Sequence, residues 1–185
     1  VSQWRVGTRA KLPSDEIGTL LVGHISSDNR NVRLQAAKLL SLMGEINSAE
    51  KLLEQLKREQ DDEIKTELFV ALGGACYYAF LPNSGIKIPQ EIKKQTLELS
   101  AQYLASDDPK KAQKGAEVMR KLLEQDGVTL SEVEKYLGLI AQKYERQKGV
   151  NGDNALRGEL MSGMAGLCVQ SVNKAEAARQ FEPLF

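Results

Sequence analysis

One motif recurs four times in phase along this 185-residue chain. The four segments align without gaps and cover residues 29–44, 61–76, 108–123 and 153–168. Each begins with a residue that favours the N-cap of a helix, and apolar residues follow at helical spacing. The first residues are Asn29, Asp61, Asp108 and Asp153. Such self-similarity is typical of repeat architectures, in which a unit buries its apolar face only against its neighbours.

The intervals between copies are uneven, and they favour a helix pair as the repeating unit. A further helical pattern precedes each copy, and an inserted loop at 81–91 lengthens the second interval. A tetratricopeptide array is the alternative fold. It requires a uniform period of about 34 residues, which the longer intervals do not match.

The first copy is the best defined, and it runs from Asp28 to Gly44. It combines an acidic turn with a Val-Arg pair at 32–33 and an Ala-Ala pair at 36–37. This pattern resembles the second helix of a HEAT repeat, although Asn29 stands where the family usually has Asp. The resemblance implies an all-α fold, a right-handed α-solenoid of about four HEAT-like repeats made of stacked antiparallel helix pairs.

The helical pattern predicts nine helices joined by short links. We expect them over 14–26, 29–43, 47–59, 61–80, 90–105, 108–125, 130–147, 153–172 and 174–181. The corresponding organisation is an extended segment at 1–13, the repeat array at 14–181 and a tail at 182–185. We expect Trp4 to pack over the first helix or against another domain of a longer parent protein. Phe181 and Phe185 are expected to fold back and cap the other end.

Composition narrows the possible functions. Basic and acidic side chains number 25 each, which argues against a nucleic-acid or membrane-surface binder that uses the whole molecule. The single histidine, His24, and two cysteines exclude most zinc and iron–sulfur sites. Cys76 and Cys168 lie in apolar stretches without a CxxC motif, and we expect both to be buried free thiols. Free thiols slightly favour a cytoplasmic location. The apolar run 68–81 would span about 21 Å as a helix, too short to cross a membrane.

Charged residues on the second helices are the candidate partner-binding surface. Lys110, Lys114 and Lys121 fall on one helix face, which Glu117 shares. Residues at related positions of the other copies are Gln35, Lys38, Glu67 and Glu159. The resemblance implies that second helices line a concave surface for a partner. Their mixed signs disfavour a continuous basic track, and an ordinary solvated face is the alternative interpretation.

No sequence motif marks a catalytic site. The chain has no GxGxxG, P-loop, GxSxG or HExxH pattern, and aspartates at helix starts are better explained as caps than as metal ligands. The resemblance implies that Arg33, Lys65 and Arg157 link neighbouring repeats. We therefore expect a non-enzymatic protein-binding scaffold or regulatory module without cofactor or metal. The alternatives are a nucleic-acid-binding HEAT-like domain and a HEAT-like lyase.

Overall fold

The computed structural model describes residues 14–44, 46–79, 88–123, 130–147 and 154–170. Over these ranges the chain forms eight α-helices and no strand, which confirms the predicted all-α class. The helices are α1 Ser14–His24, α2 Arg30–Met43, α3 Ala49–Arg58, α4 Asp62–Ala79, α5 Gln90–Ala105, α6 Pro109–Leu123, α7 Leu130–Gln147 and α8 Asn154–Gln170. A 3-10 turn, Ile46–Ser48, precedes α3.

The observed helices match the first eight predicted ones closely at both ends. The expected helix at 174–181 and the end segments at 1–13 and 182–185 lie outside the described residues. The proposed packing of Trp4, Phe181 and Phe185 lies there too. So does the side chain of Cys168, whereas Cys76 is a buried free thiol, as expected.

Side-chain caps begin three of the four repeated helices. The Asn29 Oδ1 accepts hydrogen bonds from the backbone N–H groups of residues 31 and 32, at 2.9 and 3.4 Å. The Asp61 Oδ1 accepts from residues 63 and 64, at 3.0 and 3.1 Å. The Asp108 Oδ1 accepts from residues 110 and 111, at 2.9 and 3.5 Å. These bonds satisfy N–H groups that a helix leaves without an internal partner, so the capping prediction is confirmed at these three positions.

Contacts between helices follow the order of the chain. Each odd-numbered helix packs on the even-numbered helix that follows it, so α1 contacts α2, α3 contacts α4, α5 contacts α6 and α7 contacts α8. The even-numbered helices also pack on one another in sequence, α2 on α4, α4 on α6 and α6 on α8. These contacts join helices one or two positions apart in the chain.

The core extends through all of these helix pairs. Fully buried residues include Leu40, Leu52, Phe69, Leu97, Met119, Ile140 and Leu156. Glycine allows the closest approach between helices: a Cβ added at Gly115 of α6 would lie 2.4 Å from the backbone nitrogen of Leu104 in α5. The Phe69 and Tyr103 rings stack with their centroids 4.2 Å apart and connect α4 to α5. Burial of this apolar surface, rather than intrinsic helix propensity, supplies most of the stability.

Candidate partner surface on the even-numbered helices

Ion pairs connect α2 to α4 along the edge that these helices share. The Arg30 Nε lies 2.7 Å from Asp61 Oδ2, and its Nη2 lies 3.0 Å from Glu63 Oε2. Lys38 Nζ donates to the other oxygen of Glu63 at 2.9 Å. Arg30 thus bridges two acidic groups, and Glu63 receives two basic groups. The basic neighbours hold the pKa values of the Asp61 and Glu63 carboxyls below their ordinary values.

The next even-numbered helix, α6, has its own charged cluster. Glu117 accepts from Lys121 Nζ at 2.6 Å and from Lys114 Nζ at 3.1 Å. Burial alone would raise the pKa of Glu117, but its bonds to Lys121 and Lys114 outweigh burial and lower it. Lys111 reaches back across the helix interface and donates to Asp62 of α4 at 3.0 Å.

The structure therefore places six of the eight predicted surface residues in polar interactions. Lys114, Glu117 and Lys121 form one cluster, as their helical spacing predicts. Lys38, Glu67 and Glu159 each bond to a neighbouring even-numbered helix, to Glu63, Ser41 and Arg120 respectively. Gln35 and Lys110 are exposed to solvent.

Two arginines that connect helices, Arg30 and Arg120, were not among the predicted surface residues. Arg120 Nε donates to Glu159 Oε1 at 2.9 Å and so joins α6 to α8. A signal was present in the sequence, because opposite charges stand in successive copies of the repeat. These charges predict specific ion pairs only when the stacking register between the copies is known.

That register is the same at two interfaces. Ser41 stands 12 residues after its cap residue Asn29, and Arg120 stands 12 residues after Asp108. Their partners also share one position, since Glu67 and Glu159 each stand 6 residues after their own caps. Ser41 Oγ donates to Glu67 Oε2 at 3.1 Å, and Arg120 donates to Glu159 at 2.9 Å. We number the positions of each copy from its cap residue, which is position 0. Position 12 of one copy therefore contacts position 6 of the next, both from α2 to α4 and from α6 to α8.

Backbone packing repeats a second relationship, between position 12 of one copy and position 10 of the next. A Cβ added at Gly73 of α4, position 12, would lie 2.6 Å from the methyl groups of Val118 in α6, position 10. A Cβ added at Gly163 of α8, position 10, would lie 4.0 Å from the Cβ of Arg120 in α6, position 12. The even-numbered helices are thus offset in the same way from α4 to α6 and from α6 to α8. Gly73 therefore allows α4 and α6 to pack closely.

Arg33 connects the segment before α2 with the segment before α4. Its guanidinium donates to Glu59 at 2.9 and 3.3 Å, and to the backbone carbonyls of Ser27 and Asp28 at 2.9 and 3.2 Å. Glu59 also accepts from the backbone N–H groups of Gln60 and Asp61. Arg33 therefore links the first copy of the motif to the segment that leads into the second copy. Arg157, at the equivalent position of the fourth copy, bonds to Asn154 within its own helix instead.

The described ranges contain neither a cluster of metal-ligating side chains nor a membrane-spanning helix. Across these ranges, no group of three or more His, Cys, Asp or Glu residues could hold a metal ion. None of the described helices combines the length and the hydropathy that a membrane span needs. His24, the single histidine of the chain, is exposed at the end of α1.

Comparison with known proteins gives a likeness in fold and no information on function. No protein-family model matches the chain. No curated protein matches it. A crystal structure of an engineered protein is similar at 15% sequence identity, over 89% of this chain and 67% of that chain, with a TM-score of 0.61. At this identity the likeness concerns the fold alone.

Proposed function

We propose that this chain is a HEAT-like α-solenoid that acts as a non-enzymatic protein-binding scaffold or regulatory module. The observation that carries the proposal is the constant register between even-numbered helices, in which the pair Ser41–Glu67 recurs as Arg120–Glu159. A constant register between successive units is the property that builds a superhelical array. The order of contacts along the chain and the Arg33 link support the same fold.

The even-numbered helices form the proposed binding surface because each packs on the next, α2 on α4, α4 on α6 and α6 on α8. Acidic side chains outnumber basic ones on α4, which has one basic residue, Lys65, and the reverse holds on α6, which has one acidic residue, Glu117. Four acidic residues stand on or just before α4, and five basic residues on α6: Asp61, Asp62, Glu63 and Glu67, then Lys110, Lys111, Lys114, Arg120 and Lys121. A partner segment with basic groups opposite α4 and acidic groups opposite α6 would complement both.

The same distribution favours a protein partner over a nucleic acid. A phosphate backbone needs an uninterrupted row of cations, and the acidic residues of α4 would repel it. On α6 itself, the acidic Glu117 stands between Lys114 and Lys121 and interrupts the basic row. A protein chain can alternate the sign of its charges along its length, whereas a nucleic acid cannot.

Site-specific photo-crosslinking tests this function. A benzophenone amino acid replaces Gln35 or Lys110, two exposed residues of the surface, in the chain expressed in its native cells. Matched control variants carry it at Lys94 of α5 or Glu134 of α7, which are exposed on odd-numbered helices. We expect a discrete crosslinked protein other than this chain from Gln35 and Lys110 and none from the controls. A product that joins two copies of this chain reports self-association and would not support the proposed function. Equal products from all four positions, or crosslinking to nucleic acid, would contradict the proposal.

A further inference from the structure

The outer side of α2 exposes an apolar face. Val32, Leu39 and Leu42 are 37%, 46% and 83% exposed, and their spacing places them on one side of the helix. We call these three residues the head face. Three exposed apolar side chains on one side of a helix make this side a candidate interaction surface.

The residues equivalent to Leu39 in the other even-numbered helices are buried. Leu39 stands at position 10 of its copy, where α4, α6 and α8 have Ala71, Val118 and Gly163, all buried. Two of them face the preceding even-numbered helix, because Val118 contacts Gly73 and Gly163 lies near Arg120. The head face therefore corresponds to the surface on which α4, α6 and α8 each receive the helix before them. On α2 no described helix occupies that place.

The far side of α8 has the complementary shape. Gly158, Ser162 and Ala165 are exposed there at helical spacing, and we call them the tail face. A Cβ added at Gly158 would meet no atom within 4 Å. Ala165 stands at position 12, the position of Gly73 in α4, whose lack of a side chain admits Val118 of the next helix. The tail face is thus a shallow groove of small residues, and no helix of the described ranges lies on the side where another even-numbered helix would follow.

We propose that a second copy of this chain seats its α2 head face on the α8 tail face, in the register already used between α4 and α6. Leu39 of one molecule then packs on Ala165 of the other, as Val118 packs on Gly73, and Val32 packs on Gly158 two turns earlier. The occupant is a second copy because the contact continues the helix stacking present within each molecule. The inference rests on the stacking register, and it is independent of which protein binds the charged surface.

Charge supports the pairing of these two faces. Inside the molecule, positions 12 and 6 are occupied by polar or charged pairs, Ser41 with Glu67 and Arg120 with Glu159. At the proposed contact, position 12 is Ala165 of one molecule and position 6 is Gln35 of the other. Neither side chain is charged, so the contact buries no charge without a counterion at these positions. Both faces are neutral, which is the match that a contact between apolar helix faces requires.

The contact joins different surfaces of the two molecules, so it does not close on itself. Each added molecule leaves one head face and one tail face free, and association is open-ended. A contact of single helix faces buries little area, and we expect weak association with a Kd of about 10⁻⁵–10⁻³ M.

Sedimentation velocity of the full chain at concentrations up to about 10⁻³ M, the weak end of the expected Kd range, tests the proposal. Leu39→Glu blocks the head face and Ala165→Glu blocks the tail face. We expect the wild-type weight-average mass to rise with concentration and each variant alone to remain monomeric, with association weakened at least about tenfold. An equimolar mixture of the two variants retains one intact head face and one intact tail face. It should therefore form a dimer and nothing larger.

Each alternative gives a different result. A wild-type chain that stays monomeric would mean that these faces are covered within the chain, and it would overturn the proposal. An Ala165→Glu variant that still associates would show α2 pairing with itself, and a mixture that stays monomeric would also contradict the inference. Gln102→Glu, an exposed substitution on α5, is the matched charge control and should associate like the wild type. Leu42→Glu replaces Leu39→Glu should the latter fail to fold, as judged by circular dichroism.

Discussion

Arg33 and Glu59 form the most buried ion pair described in this structure, with Nε and Oε2 2.9 Å apart and side chains 19% and 3% exposed. Burial alone would raise the pKa of Glu59. The bond from Arg33, together with the N–H groups of Asp61 and Gln60, outweighs burial, so the pKa lies below its ordinary value. The pair holds the end of α3 against the start of α2, two segments far apart in sequence. Its partners leave no oxygen of Glu59 without a donor.

Arg33→Ala should destabilise the protein by about 2–4 kcal/mol, because Glu59 would remain as a buried charge without its counterion. Arg58→Ala is the control, since Arg58 pairs with Glu54 on an exposed surface of α3. We expect the control to change stability by no more than about 0.5 kcal/mol. Urea unfolding followed by far-ultraviolet circular dichroism measures both, and equal effects would contradict a structural role for the Arg33 link.

Glu59 should make stability depend on pH in a defined direction. A carboxyl whose pKa is lower in the folded state stabilises the fold above its unfolded pKa, and that contribution is lost as the pH falls through the folded pKa. Glu59→Gln removes the titrating group and leaves the other carboxyls unchanged. The difference in unfolding free energy between wild type and variant should therefore shrink from about pH 7 to about pH 3. A difference that stays constant or grows on acidification would refute this assignment.

Two glycine-to-alanine substitutions should change the stability of the protein in opposite directions. Gly115→Ala places a Cβ 2.4 Å from the backbone nitrogen of Leu104, and backbone atoms of α5 cannot move aside cheaply, so we expect a loss of about 3 kcal/mol or more. Gly138 lies on the exposed side of α7 with no atom within 4 Å of an added Cβ. Gly138→Ala should therefore stabilise the chain by up to about 1 kcal/mol through helix propensity. Thermal unfolding of both variants measures these changes, and a tolerated Gly115→Ala would contradict the close approach of α5 and α6.

A pair of leucines on α2 tests the orientation of this helix. Leu40 is fully buried, and Leu42, two residues on, is 83% exposed. Leu40→Ala should cost about 2–5 kcal/mol because it removes buried methyl groups and leaves a cavity. Leu42→Ala should change the unfolding free energy by about 0.5 kcal/mol at most in the monomer. The comparison is made by denaturant titration at low protein concentration, and reversed magnitudes would mean that α2 is rotated.

The Cys76 thiol should be unreactive in the folded protein. Burial raises its pKa to about 11, so very little thiolate exists near neutral pH. In a Cys168→Ser background, which isolates this thiol, a disulfide reagent at about pH 8 should label Cys76 only after unfolding in denaturant. Rapid labelling of the native chain would place Cys76 at the surface.

Local features of the sequence were sufficient to predict the helices. Asn29, Asp61 and Asp108 cap the helices that their chemistry predicts, because a short polar side chain at the first position bonds to N–H groups two or three residues away. Such bonds depend only on neighbours in sequence. The lysine cluster around Glu117 was predictable for the same reason, since side chains three and four residues apart meet on one helix.

Relationships between copies were decided by the tertiary structure. The pairing of Arg120 with Glu159 depends on the offset between α6 and α8, which is set by how closely the buried residues on their facing sides allow the helices to approach. The exposure of Leu39 could not be read from its residue type either, because equivalent positions in the other copies are buried by the preceding helix. The sequence by itself determined the helices, their caps and the repeat, all of which follow from interactions within a few residues. Stacking register and surface exposure depend on packing between distant segments, and only the folded chain decides them.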